Sequence, residues 1–310
     1  MKRALIAFLT VALVVAGVGW LLTAPSTLDA AILPNPKTGN AERGELVFWA
    51  GGCASCHADG DAEEEEKLRL GGGDPIESDF GTFYAPNISP DPDAGIGNWS
   101  FTDFANAMKQ GVSPDGQHYY PAFPYSSYAR ILDQDLADLW AFLQTLPAVA
   151  DAAPDNEIPF PFNIRRGVGV WKFAFLDDAS EPIVALPEDA GESAGRGRYL
   201  VEALGHCGQC HTPRSFMGAG GMIESKWLAG GPNPDGDGRI PNITSSEAGV
   251  GSWSESDLAY YFESGFTPDF DSVGGSMVDV QENLAQLPAA DREAIAAYLK
   301  AVPPIGAEAE

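Results

Sequence analysis

The chain has 310 residues, 45% of them hydrophobic and 20% charged, a balance that suits about two folded domains and excludes a disordered chain. A net charge of −26 speaks against nucleic acid as a partner, since that needs a basic face; it suits the steering of a basic protein partner, or simply a soluble acidic surface. Thirty-five glycines and 24 prolines predict a loop-rich fold.

In chain order, Lys2 and Arg3 come first, followed by 21 uncharged residues from Ala4 to Ala24. That run exceeds the roughly 7–15 apolar residues of a cleaved signal peptide and is about long enough to cross a bilayer. Trp20 lies near its far end, where an interfacial aromatic belongs. Ala24-Pro25-Ser26 is a poor cleavage site. Residues 1–40 therefore read as a retained signal anchor and tether, with cleavage as the alternative. With the basic pair held inside, the expected location is the bacterial inner membrane, with the body in the periplasm.

Next comes Cys53-Ala-Ser-Cys56-His57, and the same pattern returns 154 positions later as Cys207-Gly-Gln-Cys210-His211. These are all four cysteines and two of the four histidines. A structural disulfide gives no reason for the histidine that follows each pair. A zinc site would usually set the two pairs closer together, and the histidines would be surplus ligands. A c-type haem needs this order: two thiols that bond the vinyl groups, then an imidazole that reaches iron. The expectation is two covalently bound haem c groups. Cys53, Cys56, Cys207 and Cys210 would attach them, and His57 and His211 would ligate the iron atoms.

The surroundings of the motifs repeat as well. Arg43-Gly44 and Arg196-Gly197 open helical stretches before each cysteine pair; Pro86-Asn87-Ile88-Ser89 matches Pro241-Asn242-Ile243-Thr244; and "GIGNWS" from Gly95 matches "GVGSWS" from Gly249. Trp99 and Trp253 each lie 46 residues past the first cysteine of their copy, and both are assigned to the haem pocket wall. Each copy ends in a helical stripe before a proline: Leu136, Leu139, Trp140 and Leu143 before Pro147, and Ile295, Tyr298, Leu299 and Val302 before Pro303. Two duplicated domains follow, 41–147 and 194–304, with a connector over 148–193 and a tail over 305–310. The acidic run Glu63–Glu66 reads as a solvated loop.

Within the connector, Ile164, Val168, Trp171 and Phe175 share a helical stripe, which predicts a short helix packed across both domains. Arg165, Arg166 and Arg214 are candidates to pair with haem propionates. His206, directly before Cys207, reads as structural.

The anchor, the paired motifs, "PNIS/PNIT", "GxGxWS" and "YPAFPYSSY" (Tyr120–Tyr128) together resemble the dihaem c-type cytochromes. They are similar also to the cytochrome c subunits of bacterial membrane-bound alcohol, aldehyde and gluconate dehydrogenases, which usually carry three haem motifs where this chain has two. The resemblance spans about Ala41 to Pro304. It implies a mostly α fold, namely tandem class I-like cytochrome c domains, loop-rich, with an N-terminal transmembrane helix. It also implies haem attachment in the periplasm and electron relay to a quinol-, oxidase- or dehydrogenase-type partner.

The sixth iron ligand separates the two copies. Met277 follows Cys207 by 70 residues, and the resemblance also places a ligand methionine there; a thioether opposite histidine raises the potential. The matching position in the first copy holds Phe123, where related sequences often read "YPAMPY". Phenylalanine cannot bind iron, so the first haem takes His118 from the same loop, Met108, or no protein ligand. Two functions follow. One is a relay between an electron donor and an electron acceptor, in which the chain is a non-catalytic carrier or the electron-transfer subunit of an oxidoreductase complex. The alternative is a dihaem redox enzyme whose open first haem reduces peroxide or oxidises a small sulfur or nitrogen compound. A gas sensor ranks last, since no signalling domain accompanies the motifs. No nucleotide loop or hydrolytic triad is apparent.

Overall fold

The computed structural model describes residues 1–176, 179–233 and 238–306. It opens with α1 (Lys2–Leu22), a helix with no buried residue whose apolar window reaches a mean hydropathy of 2.6, long and apolar enough to cross a membrane. The first lobe holds α2 (Ala41–Ala50), α3 (Cys53–His57), α4 (Phe101–Gln110), α5 (Tyr125–Tyr128) and α6 (Asp133–Leu143). The connector forms α7 (Arg166–Phe175). The second lobe holds α8 (Gly191–Tyr199), α9 (Gly208–His211), α10 (Glu255–Ser264), α11 (Met277–Ala285) and α12 (Ala289–Ala301). The described residues also include two short antiparallel pairs: β1 (Pro75–Ser78) with β2 (Gly81–Tyr84), and β3 (Gly231–Pro232) with β4 (Arg239–Ile240).

The repeated Arg-Gly pair has a packing purpose in each lobe. α2 crosses α6, and α8 crosses α12, with glycine at the point of closest approach. A Cβ on Gly44 would lie 2.0 Å from the Asp138 carbonyl oxygen, and one on Gly197 would lie 1.8 Å from that of Ala294. The preceding arginine ties the same helices together: Arg43 Nε to Asp138 Oδ2 at 2.7 Å, Arg196 Nη2 to Asp291 Oδ2 at 2.9 Å. α4 and α10 both begin with a capping box, Ser100 with Asp103 and Ser254 with Asp257. The terminal stripes face inward, with Leu136, Leu139, Leu143, Ile295, Tyr298, Leu299 and Val302 all buried.

Ahead of the cysteines the spacing of the two copies differs by one residue. Cys53 lies ten positions after Arg43, whereas Cys207 lies eleven after Arg196. A π turn over Leu200–Leu204 absorbs the extra residue, with Gly205 N donating to Leu200 O at 2.6 Å, and His206 then takes a positive φ of 39°.

The lobes share one apolar core, to which Phe48, Tyr128 and Leu136 contribute from the first and Leu200, Leu204, Trp227 and Tyr298 from the second. Their contact is reciprocal: α5 packs on the π turn of the second lobe, and α11 packs on α2 and α3 of the first. Asn283 Nδ2 donates to Ser55 Oγ at 2.6 Å, Gln209 Nε2 to Ser127 Oγ at 2.7 Å, and Lys67 pairs with Glu282. α7 bridges both lobes, as its stripe predicts. Lys172 Nζ donates to the Gly111 carbonyl at 2.7 Å in the first lobe, and Trp171 Nε1 to the Ala219 carbonyl at 2.9 Å in the second. Ile164 departs from the stripe: it lies before α7 and is exposed.

Candidate haem-binding sites

Each Cys-x-x-Cys-His lies on a single helical turn, α3 or α9 with Cys207 as its cap. No disulfide joins the four cysteines, and among the described residues no cluster of three or more Cys, His, Asp and Glu side chains could hold a metal. Burial pushes the Cys53 and Cys207 thiols up to about 12, so nothing among the described residues activates either as a thiolate.

The repeated "PN" dipeptides act on the histidines. His57 Nδ1 lies 2.7 Å from the Pro86 carbonyl oxygen, and His211 Nδ1 lies 2.8 Å from that of Pro241. A carbonyl only accepts, so Nδ1 carries the proton and Nε2 keeps its lone pair, the tautomer that an iron ligand needs. Burial lowers both histidine pKa values, opposed by the carbonyl contact, so both rings are neutral and able to ligate. The asparagines hold the proline in place. Asn87 Oδ1 accepts from Ser89 N and Asn242 Oδ1 from Thr244 N, both at 2.8 Å, while Asn87 Nδ2 donates to the Val149 carbonyl and Asn242 Nδ2 to that of Ile305. The repeat was visible in the sequence, but this orienting role was not. The donor set fits haem c in both lobes.

The sixth-ligand segments hold unlike residues. Met277 opens α11 and is half-buried. Phe123 lies two residues before α5, half-buried, with its ring 5.7 Å from that of Tyr128 and 5.9 Å from that of Tyr119. Met108 is buried in the core of the first lobe. His118 is buried too, but its Nε2 lies 3.0 Å from the carbonyl oxygen of Thr23, just past α1, and its Nδ1 has no hydrogen-bond partner. Ligation by His118 would therefore run through Nδ1, or would require Nε2 to leave Thr23.

The remaining candidates divide similarly. Trp99 and Trp253 are half-buried in the loops before α4 and α10 and pack on the core. Arg166 stacks on Trp20, 4.1 Å from the ring centroid, and Arg165 lies 5.1 Å from that of Tyr120. Arg214 is hydrogen-bonded to Gln209 Oε1, between the cysteines of the second motif. His206 sits at the seam of the lobes: its ring is 5.5 Å from that of Tyr128, and a Cβ on Gly52 would lie 3.7 Å from its Nε2. The residues directly before the two cysteine pairs thus face each other.

Two helical lobes, each presenting a cysteine pair and an oriented imidazole, have the makings of a covalent haem carrier. A model of the cytochrome c family matches residues 41–147. A dihaem cytochrome c-type protein of Cereibacter sphaeroides is 52% identical over 305 residues, 98% of this chain and 100% of that one. The fructose dehydrogenase cytochrome subunit of Gluconobacter japonicus is 39% identical over 84% of this chain, which spans 52% of that protein. The gluconate 2-dehydrogenase cytochrome c subunit of Pantoea cypripedii is 36% identical over 89% of this chain, which spans 63% of it. The chain belongs to the cytochrome c family.

Proposed function

We propose that this chain is a membrane-anchored periplasmic dihaem cytochrome c that relays electrons from a respiratory or dehydrogenase donor to an acceptor protein. Residues 41–147 and 194–304 each form one haem domain, joined by 148–193. The observation that carries the reading is the facing of the two motifs across one seam, each with a histidine tautomer set by a proline carbonyl. When bound, each haem c supplies a one-electron iron couple. The chain's own residues attach it (Cys53, Cys56, Cys207, Cys210), orient the proximal imidazole (Pro86, Pro241) and hold the two sites at a fixed separation (Asn283 with Ser55, Gln209 with Ser127). A dehydrogenase partner is supported by the cytochrome subunits of fructose and gluconate dehydrogenases among the relatives, and α1 supports the anchor.

Met277 is the proposed sixth ligand beside His211; beside His57, the place falls to a protein donor, His118 Nδ1 or Met108, or to an exogenous ligand. The last of these gives the alternative function, peroxide reduction or oxidation of a small sulfur or nitrogen compound. Phe123 in the methionine position and the hold of Thr23 on His118 favour it. Intact mass should show two haem additions in the wild type and one in the Cys207→Ser/Cys210→Ser double variant, which keeps no thiol for the second haem. Met277→Ala should abolish the sulfur-to-iron charge-transfer band. A single addition in the wild type refutes two haem domains; a band of undiminished intensity refutes Met277, and a band that survives at reduced intensity points to Met108 as a second sulfur ligand. A first-haem spectrum altered in His118→Ala would assign that histidine to iron; an unaltered one that shifts with cyanide would assign the open site.

A further inference from the structure

α7 is amphipathic in an unusual sense. Val168, Gly169 and Lys172 face the lobes, while Val170 and Phe173 on the other side are 57% and 68% exposed. The chain entering α7 adds Phe160 at 78%, together with Phe162 and Ile164. Phe216, whose ring lies 5.8 Å from that of Phe175, and its neighbour Met217 extend the exposed apolar surface from the second lobe. Isolated exposed apolar residues are ordinary, but a continuous set around one helix is not.

The same helix is fastened to the end of α1. Arg166 donates to the Trp20 carbonyl while stacking on the Trp20 ring. Gly169 admits the chain at Thr23 so closely that a Cβ there would lie 2.2 Å from the Thr23 carbonyl oxygen and 2.8 Å from His118 Nε2. Leu28 N donates to Asn106 Oδ1 at 2.7 Å, extending the junction to α4. A tryptophan at the end of a spanning helix sits at headgroup depth. What is stapled to it sits there too, and Arg165, over the Tyr120 ring, adds a cation at that depth.

We infer that α7, the residues from Phe160 that lead into it and the Phe216–Met217 turn form a lipid-binding face, lying in the interface of the same bilayer that α1 spans. The inference rests on the anchor reading. Continuity with α1 is what selects lipid, rather than a second protein, as the occupant. The face would fix the orientation of the first lobe on the membrane, because Lys172 joins α7 to the end of α4 and lies 4.5 Å from the centroid of the Tyr125 ring.

The test uses the full, haem-loaded chain in vesicles of phosphatidylcholine and phosphatidylglycerol carrying a phospholipid with a photoactivatable diazirine in its acyl chain. Labelled sites are mapped by peptide mass spectrometry. Label is expected in 4–22, in 160–175 and at 216–217. Label confined to 4–22 would overturn the inference while leaving the anchor standing; label in none of these segments would bring down the anchor reading itself. In Val170→Asp/Phe173→Asp, label in 160–175 should fall to background while 4–22 and the visible haem spectrum stay unchanged. Undiminished label in that variant would assign the signal to something other than this face and overturn the inference.

Discussion

Replacing Gly197 by alanine would put a methyl group 1.8 Å from the carbonyl oxygen of Ala294 and 2.8 Å from Tyr298 Cβ. Carbon and carbonyl oxygen rest no closer than about 3.3 Å, so α8 and α12 must part by roughly 1.5 Å where they cross. The obstacle is backbone, and no side-chain rotation relieves it. Overpacking costs about 1–3 kcal/mol, and a backbone clash belongs at or above the top of that range. At several degrees per kcal/mol, Tm should fall by about 10 °C or more. The displacement would reach the second cysteine pair, because α8 runs through the π turn into Cys207. Gly167→Ala is the control: that glycine lies in α7, and nothing stands within 4 Å of where the new methyl would be, so alanine gains up to about 1 kcal/mol of helix propensity. Thermal unfolding followed by far-ultraviolet circular dichroism and by the Soret band distinguishes the two. A wild-type Tm in Gly197→Ala, or a damaged Gly167→Ala, would refute the close-approach argument.

Burial lowers the His206 pKa to about 4, below the ordinary value of about 6.5. The unfolded chain then binds the extra proton first, so stability from this group is present above about pH 6.5 and lost as pH falls towards 4. Urea midpoints should drop across that window in the wild type and less in His206→Asn, a residue that tolerates the positive φ; equal slopes would count against it. Asn242→Ala should cost about 1–3 kcal/mol, because it strips a hydrogen bond from Thr244 N and frees the Ile305 carbonyl. A guanidinium midpoint unchanged in that variant would show that the asparagine clamp is dispensable. Gly44→Ala, whose methyl would meet the Asp138 carbonyl at 2.0 Å, should lower the Tm while leaving in place, in the folded protein, the charge-transfer band proposed for Met277.

Much of the chemistry could be read before any fold was known, because it is written in contiguous strings. Two thiols and an imidazole must follow one another on one helical turn, and the spacing of Cys53, Cys56 and His57 meets that demand without reference to the rest of the chain. The length of α1, the terminal stripes that include Leu136 and Leu299, and the bridging helix at Val168 and Trp171 are likewise periodic, local signals. The duplication set the frame in which Phe123 and Met277 could be compared.

Partners distant in sequence were decided by tertiary structure. His57 is oriented by a carbonyl 29 residues away and His118 is held by one 95 residues away. Every residue has a backbone oxygen, so no residue type announces which one will arrive. The π turn was hidden for a similar reason: one extra residue before Cys207 fits several backbones, and only the need to keep Gly197 on α12 while closing on the first lobe selects among them. Ile164 fell in the right phase of the stripe yet outside the helix, since a periodic pattern does not mark where hydrogen bonding begins. The facing of His206 and Gly52 depends on how two cores merge into one, a choice made by shape complementarity between lobes and by no string within either.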